Sequence, residues 1–287
     1  MTSRHRAPGS FVDRLTKGVR WSWMSDDYRA ALPRDLDETV MSLESSDRLH
    51  AKQGRSTARV RFDSPWGPLS VYVKRHYRLP WIARLGAIAM PSRRFTPGAA
   101  ELAHLERARS LGIAVPDPVA AGERIGPWGQ LQSYLLIAEL TGCKELNEVL
   151  PDLMGSKTPE SFATLKRELI AEMAAITACL HSSHAFHKDL YLCHFFLDLS
   201  PIAACGSRLT LIDLHRLAEH RWTGFRWRWK DLAQLLYSTY AVNAISDRDR
   251  LRFWVHYERA TKLTFARRQL RIVQNKAARY RKHNDRV

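Results

Sequence analysis

In HKDLYLCHFFLD, which runs from His187 to Asp198, two imidazoles and a carboxylate interrupt an apolar run: His187, Asp189 and His194 stand among Leu190, Tyr191, Leu192, Phe195, Phe196 and Leu197. Burying such groups costs free energy unless they are paired, bound to metal or put to chemical use. A second carboxylate, Asp213, lies in LIDLH, again beside an apolar run. Two carboxylates delivered to one end of a short hairpin can divide two tasks. One accepts a proton from an attacking hydroxyl, and the other holds Mg²⁺ against a polyphosphate. Lys74, in VYVKRH, would add a fixed cation, and Glu101, near the start of the following helix, could pair with it.

Several elements must position these groups. From about residue 47 the pattern is strand, turn, strand, turn, strand, with ARVRF and LSVYVKRH joined at DSPWGP. A helix is predicted over 97–111, opened by Thr96-Pro97 and closed at Gly112, with Leu102, Leu105, Ala108 and Leu111 on one face. GIAVPDPVAAG reads as extended, and QLQSYLLIAELTG as a buried strand ending at Glu139-Leu140. PESFATLKRELIAEMAAITACLHSSH carries apolar residues at helical spacing and predicts one long helix. The segment around Asp189 and RLTLIDLHR then read as two short strands, and the chain from about 228 as helical. The expected fold class is therefore α+β and bilobal. Residues 1–37 would be a loosely packed basic arm, 38–141 a small antiparallel-sheet lobe with one main helix, and 142–287 a larger, mostly helical lobe.

The charge balance narrows the partners. Against 29 Asp and Glu stand 45 Lys and Arg, a net charge of +16, which favours an anionic partner: nucleic acid, an anionic lipid surface or a phosphorylated substrate. Cys143, Cys179, Cys193 and Cys205 form no CxxC pair or zinc spacing and read as buried thiols of a reducing cytosol. No run approaches a membrane span, and the first residues read as no secretory signal. LPWIARLGAIAM, residues 79–90, reads as a packing segment, with an interfacial membrane contact as the alternative.

Strand lysine, helix glutamate, an HxD loop and a second Asp after an apolar strand, in that order, are the parts of a protein-kinase-like phosphotransferase. More specifically, HKDLYLCHFFLD resembles the catalytic loop of the Kdo/WaaP lipopolysaccharide kinase family. LTLIDLHRL followed by RWRWKDLAQLLYS and RDRLRFWVHYERA is similar to that family's metal loop and following helices. The resemblance implies a bilobal, protein-kinase-like fold, ATP and Mg²⁺, and a lipopolysaccharide core or lipid-A-linked oligosaccharide acceptor, with a heptose as the sugar. It implies that Asp189 orients and deprotonates the acceptor hydroxyl and that His187 braces the loop. Asp213 would be the main Mg²⁺ ligand. His194 stands where protein kinases carry an Asn for a second metal, and would either join the metal site or orient Asp213 or a phosphate oxygen. Lys74 would contact phosphates and be held by Glu101, while Glu139 and Leu140 would offer backbone groups to adenine. In place of a glycine-rich loop there is KQGRST, in which Gly54, Ser56 and Thr57 could cap phosphates, the alternative being a plain hairpin turn.

HRWTGFRWRWKDL interleaves cations with Trp222, Phe225, Trp227 and Trp229. By itself it could stack single-stranded nucleic acid; after the metal loop, it also suits sugars and anionic groups. Asp231 reads as a brace of the catalytic loop or a helix cap. The basic C-terminal stretch reads as a solvated helix face or an attraction to an anionic inner leaflet. The expected location is cytoplasmic, with peripheral contact to the inner membrane, no obligate protein partner and nucleic acid disfavoured. Another acceptor, or an inactive kinase-like binding module, are the competing functions.

Overall fold

The computed structural model describes residues 19–43, 48–52, 54–64, 66–77, 96–125, 131–200 and 207–284, with residues 12, 16, 85 and 89 besides. The segment 79–90 and Cys205 fall, apart from Leu85 and Ala89, outside the described residues. The chain divides into two compact units: residues 1–106 with 116–140, and residues 107–115 with 141–287.

The first unit is built on one antiparallel sheet. Its strands are β1 (Val19–Met24), β2 (Arg48–Lys52), β3 (Arg55–Phe62), β4 (Leu69–His76), β5 (Pro118–Ile125) and β6 (Leu131–Ala138), arranged β1-β5-β6-β4-β3-β2. Alternation along β4 decides which residue serves which face. Val71, Val73 and Arg75 are buried on one side, and Tyr72, Lys74 and His76 lie on the other. On the Val71 side, helix α1 (Leu36–Ser42) packs Leu36 and Val40 against Val71, Val73, Val119, Tyr134 and Leu136. The buried guanidinium of Arg75 closes the end of that helix, donating to the carbonyls of Val40 (3.1 Å) and Leu43 (2.6 Å). Residues 19–42, of which 19–37 read from sequence as part of a loose arm, thus contribute an edge strand and a core helix. Their apolar residues Leu32, Leu36 and Val40 are too few to advertise a core without the sheet they cover.

Helix α2 (Pro97–Ser110) starts beside β6. A Cβ on Gly98 would lie 2.6 Å from the carbonyl oxygen of Tyr134, so only glycine lets the helix come this close. Thr96 Oγ1 donates to Glu123 (2.7 Å) and Gly98 N–H donates to Ser133 Oγ (3.3 Å), which ties the start of the helix to β5 and β6. Leu102, Leu105 and Ala108 form its buried stripe.

The second unit is mostly helical: α3 (Leu146–Ser156), α4 (Pro159–Ser182), α5 (Gly224–Ser238), α6 (Asp247–Thr261) and α7 (Arg267–Asn284). Thr158 caps α4 with Pro159 at its first position, and Ser246 with Asp249 forms a capping box on α6. Ala174, Ala178, Trp229, Leu232, Ala233, Tyr257, Val273 and Ala277 make its core. Two small sheets complete the unit. One is β10 (Leu209–Leu211), β9 (Phe195–Asp198) and β7 (Cys143–Glu145); the other pairs β8 (Ala185–Phe186) with β11 (Ala218–Glu219). Residues 187–194, expected to begin a strand, instead form a loop ending in a short 3-10 turn, and pairing starts only at Phe195. Cys143, Cys179 and Cys193 are free and half-buried.

Candidate active site

In the first unit, Lys74 Nζ and Glu101 Oε1 are 2.5 Å apart, with Glu101 almost fully buried. The pairing follows from parity: Lys74 points to the α2 side of β4, and Glu101 lies one turn into a helix whose start is tied down at Gly98. Thr57 is Lys74's direct cross-strand partner and shares its face. Ser56 does not. Opposite Arg75 in the ladder, its hydroxyl is buried and accepts from Arg75 Nε at 3.0 Å. The hydroxyl therefore belongs to the interior of the unit and not to a phosphate cap. Gly54 occupies the β2–β3 turn with φ +77°, and its carbonyl accepts from Tyr77 N–H (2.8 Å). Glu139 is also engaged: its amide donates to Ser70 O (3.0 Å), and its carboxylate accepts from Arg59 (2.7 Å). The amide of Glu139 is thus unavailable to a base, which narrows the expectation for Glu139-Leu140.

In the second unit the loop carrying Asp189 is braced from beneath. Asp231, fully buried on α5, accepts the backbone N–H groups of His187 (2.9 Å) and Lys188 (2.8 Å). Lys230 Nζ donates to the carbonyl of Lys188. Lys188 is left-handed, φ +65°, a strained conformation for a non-glycine that persists where its surroundings hold it. The side chain of His187 is buried and donates from Nε2 to Ile212 O (3.0 Å), joining the loop to the strand that delivers Asp213. Deeper still, His181 lies between Asp231 (3.3 Å) and Tyr257 Oη (2.7 Å). Burial holds both His181 and His187 below the ordinary imidazole pKa, so both serve as neutral struts.

Asp189 itself is gripped at both oxygens. Gln234 Nε2 donates to Oδ1 at 3.0 Å and Arg216 Nη1 to Oδ2 at 3.3 Å. The same Gln234 amide donates to Tyr191 Oη (2.8 Å). His194 Nδ1 donates to the backbone carbonyl of Asp189 (2.7 Å), leaving Nε2 toward Asp213 Oδ2 at 3.7 Å. Its ring stacks on His187 with centroids 5.4 Å apart. Asp213, left-handed at φ +59°, also meets His215 Nδ1 at 2.6 Å. Asp189, His187, His194 and Asp213 are therefore brought together within this unit.

This donor set suits Mg²⁺. The ion is typically held by one or two carboxylates with the remaining positions left to phosphate oxygens and water. Asp213 supplies a hard carboxylate, and among the described residues no group of three metal-binding side chains forms a closed cage. An imidazole is a poor ligand for so hard a cation, so His194 fits better as the residue that aligns Asp213 and the Asp189 backbone.

Gln234, Arg216, Lys230 and His181 were not singled out from the sequence. A signal existed for one of them: Asp231 and Gln234, three apart on an otherwise apolar helix face, are both buried. Polar residues on a buried stripe mark a partner to be satisfied.

A model described as the lipopolysaccharide kinase (Kdo/WaaP) family matches residues 86–257. A protein named lipopolysaccharide core heptose(I) kinase WaaP, from Pseudomonas aeruginosa, is 31% identical over 79% of this chain and 81% of its own length. The protein of that name from Escherichia coli is 31% identical over 53% of this chain and 57% of its own. Among solved structures, one titled WaaP in complex with acyl carrier protein superposes with a TM-score of 0.66 at 28% identity, covering 93% of this chain and 98% of that one. The likeness establishes the bilobal, protein-kinase-like fold. The chain is an enzyme of the lipopolysaccharide kinase (Kdo/WaaP) family.

Proposed function

We propose that the chain transfers the γ-phosphoryl group of ATP to a hydroxyl of a lipopolysaccharide inner-core sugar, a heptose. The family and the names of the relatives support the acceptor class. The observation that carries the chemistry is the two-sided grip of Gln234 and Arg216 on Asp189. A carboxylate so held has a set direction, which is what phosphoryl transfer asks of the residue that aims the attacking hydroxyl and takes its proton.

In this reading Lys74, fixed by Glu101, binds phosphate oxygens of the nucleotide, and Thr57 lies beside it on the same sheet face. Mg²⁺, when bound, supplies charge neutralisation of the phosphates. Asp213 would hold it, and His194 would keep Asp213 and the Asp189 backbone aligned. Arg216, besides gripping Asp189, adds positive charge where the transferred phosphoryl becomes more negative. Such charge needs no reorganisation during the reaction.

The test is ATP turnover with Mg²⁺, with and without lipopolysaccharide core acceptor, beside Asp189→Asn. Acceptor-dependent transfer that falls about 10²–10⁴-fold in the variant, the usual cost of losing a general base, supports the reading. Full activity of Asp189→Asn would overturn it. Transfer to a protein, another glycolipid or a small molecule instead would keep the catalytic assignment and change the acceptor. ATP binding with no transfer would indicate an inactive binding module.

Peripheral attachment to the inner face of the inner membrane is a separate reading, supported by the net charge of +16. Among the described residues no helix is long and apolar enough to cross a membrane. An acyl carrier protein is a candidate partner that the sequence did not suggest, by likeness to the complex named above. Coelution of the two proteins tests it.

A further inference from the structure

The turn that leads into α5 and the first turn of that helix present two large apolar side chains to solvent. Trp222 is 94% exposed and Phe225 60%. They belong to a run of four aromatics whose other two members have inward roles. Trp229 is in the core, edge-on to Phe265 at 5.2 Å. Trp227 stacks on His220 at 4.9 Å and lies under the ammonium of Lys188 at 4.3 Å. From sequence the run reads as one aromatic surface; the structure divides it into two struts and two outward residues.

The outward pair stands on a firm base. Gly224, between them, sits so close to Phe186 that a Cβ would come within 2.8 Å of its ring, and Phe186 is itself buried in β8. The exposure of Trp222 is thus a property of a seated turn. Arg221 and Arg226 flank the pair and are exposed, and the first turn of α5 holds no acidic residue. An amphipathic indole with a phenyl ring and two guanidinium groups is the composition that settles at a membrane interface, rings at headgroup level and cations on anionic lipid. The net charge of +16 points the same way. A single strand of nucleic acid would need successive open aromatic faces, and here Trp227 is occupied by His220 and Lys188.

We propose that Trp222 and Phe225, with Arg221 and Arg226, form an interfacial anchor that docks the protein on an anionic lipid bilayer. The docking itself is independent of the kinase reading. Its use rests on that reading: Lys188, whose ammonium covers Trp227, is the neighbour of Asp189, so a bilayer against this turn brings membrane-borne sugars to the catalytic loop.

The experiment is cosedimentation of the full chain with vesicles of phosphatidylcholine, with and without phosphatidylglycerol, in the absence of ATP and lipopolysaccharide. The protein is expected to bind the anionic vesicles, and Trp222→Ser with Phe225→Ser to weaken binding by about 10-fold or more while the melting temperature stays put. Arg221→Gln with Arg226→Gln should reduce the preference for anionic over neutral vesicles several-fold. Trp66, 72% exposed in a turn of the first unit, three residues after Asp63 and with Pro65 and Gly67 as its sequence neighbours, is the control: Trp66→Ser should bind as the parent does. Equal binding by the parent and the Trp222/Phe225 variant overturns the proposal. So does binding of single-stranded DNA in place of vesicles. Because the vesicles hold no acceptor and the assay no nucleotide, failure of the kinase reading leaves this result untouched.

Discussion

The side-chain amide of Gln234 reaches from α5 to Oδ1 of Asp189 at 3.0 Å and, with the same nitrogen, to the hydroxyl of Tyr191 at 2.8 Å. One buried residue therefore sets the direction of the carboxylate and the position of the ring two residues on. Gln234→Met keeps the volume and removes both donors. Its kcat is expected to fall about 10–10²-fold, the scale of a small misplacement of a reacting group, with little change in KM for ATP. Steady-state kinetics with acceptor in excess checks the split; a rise in KM for ATP with unchanged kcat would contradict it.

Asp231 supports the same loop from below without touching its reactive face. Asp231→Ala strands the N–H groups of His187 and Lys188 and removes a partner of His181. Loss of hydrogen bonds to a buried carboxylate predicts a stability cost of about 2–4 kcal/mol. Urea unfolding reads it directly, and a variant as stable as the parent would remove Asp231 from its bracing role.

Gly98 governs the Lys74–Glu101 pair from a distance. Any side chain there meets the backbone of Tyr134, which cannot swing aside. Gly98→Val should push the start of α2 off β6 and lengthen the 2.5 Å ion pair. The expected result is a KM for ATP raised about 10-fold or more. Glu101→Gln, which leaves the helix seated, separates loss of the pair from loss of the packing. If Gly98→Val bound ATP as the parent does, the pair would not depend on this contact.

The second unit should lose stability in mild acid. Burial lowers the pKa of His181 and of His187 from 6.5. Between the lowered folded values and 6.5 the unfolded chain binds more protons, so stability is complete above 6.5 and declines as pH falls below it. Urea midpoints at about pH 7.5 and about pH 5.5 should differ in that sense. Asp249 keeps its contribution through this range and loses it only in much stronger acid, as pH falls from 3.8 toward about 2. Burial opposes its ionisation, but Lys166 and Ser246 prevail and bring its pKa down to about 2.

The legible part of this protein was the part written locally. Alternation in LSVYVKRH predicts a strand with Lys74 on the opposite face from Val71 and Val73, and the structure has it so. Helical spacing from Phe162 to Leu180 marks the long helix that became α4. The two carboxylates stand out because acids are rare next to strands so apolar. Residues 19–42 were illegible because an edge strand and a short helix bury their few apolar residues only against a sheet formed much later in the chain. The strand-like look of residues 187–194 misled for a related reason. Their apolar side chains fill the core beneath a loop whose backbone is held by Asp231, and that partner lies far along the sequence.

Residue types and spacing, by themselves, determined the α+β order, the candidate reactive groups and the family resemblance, since these rest on propensity, periodicity and near neighbours. Tertiary structure decided which of those groups are held and by what. Ser56 turned inward to Arg75, because strand parity and the α1 packing leave it no other side. Gln234 and Arg216 closed on Asp189 because α5 and the turn after Asp213 arrive there in space. Trp227 and Trp229 went to structural work while Trp222 and Phe225 stayed outside. No spacing rule separates those four, because burial depends on what the rest of the chain brings alongside.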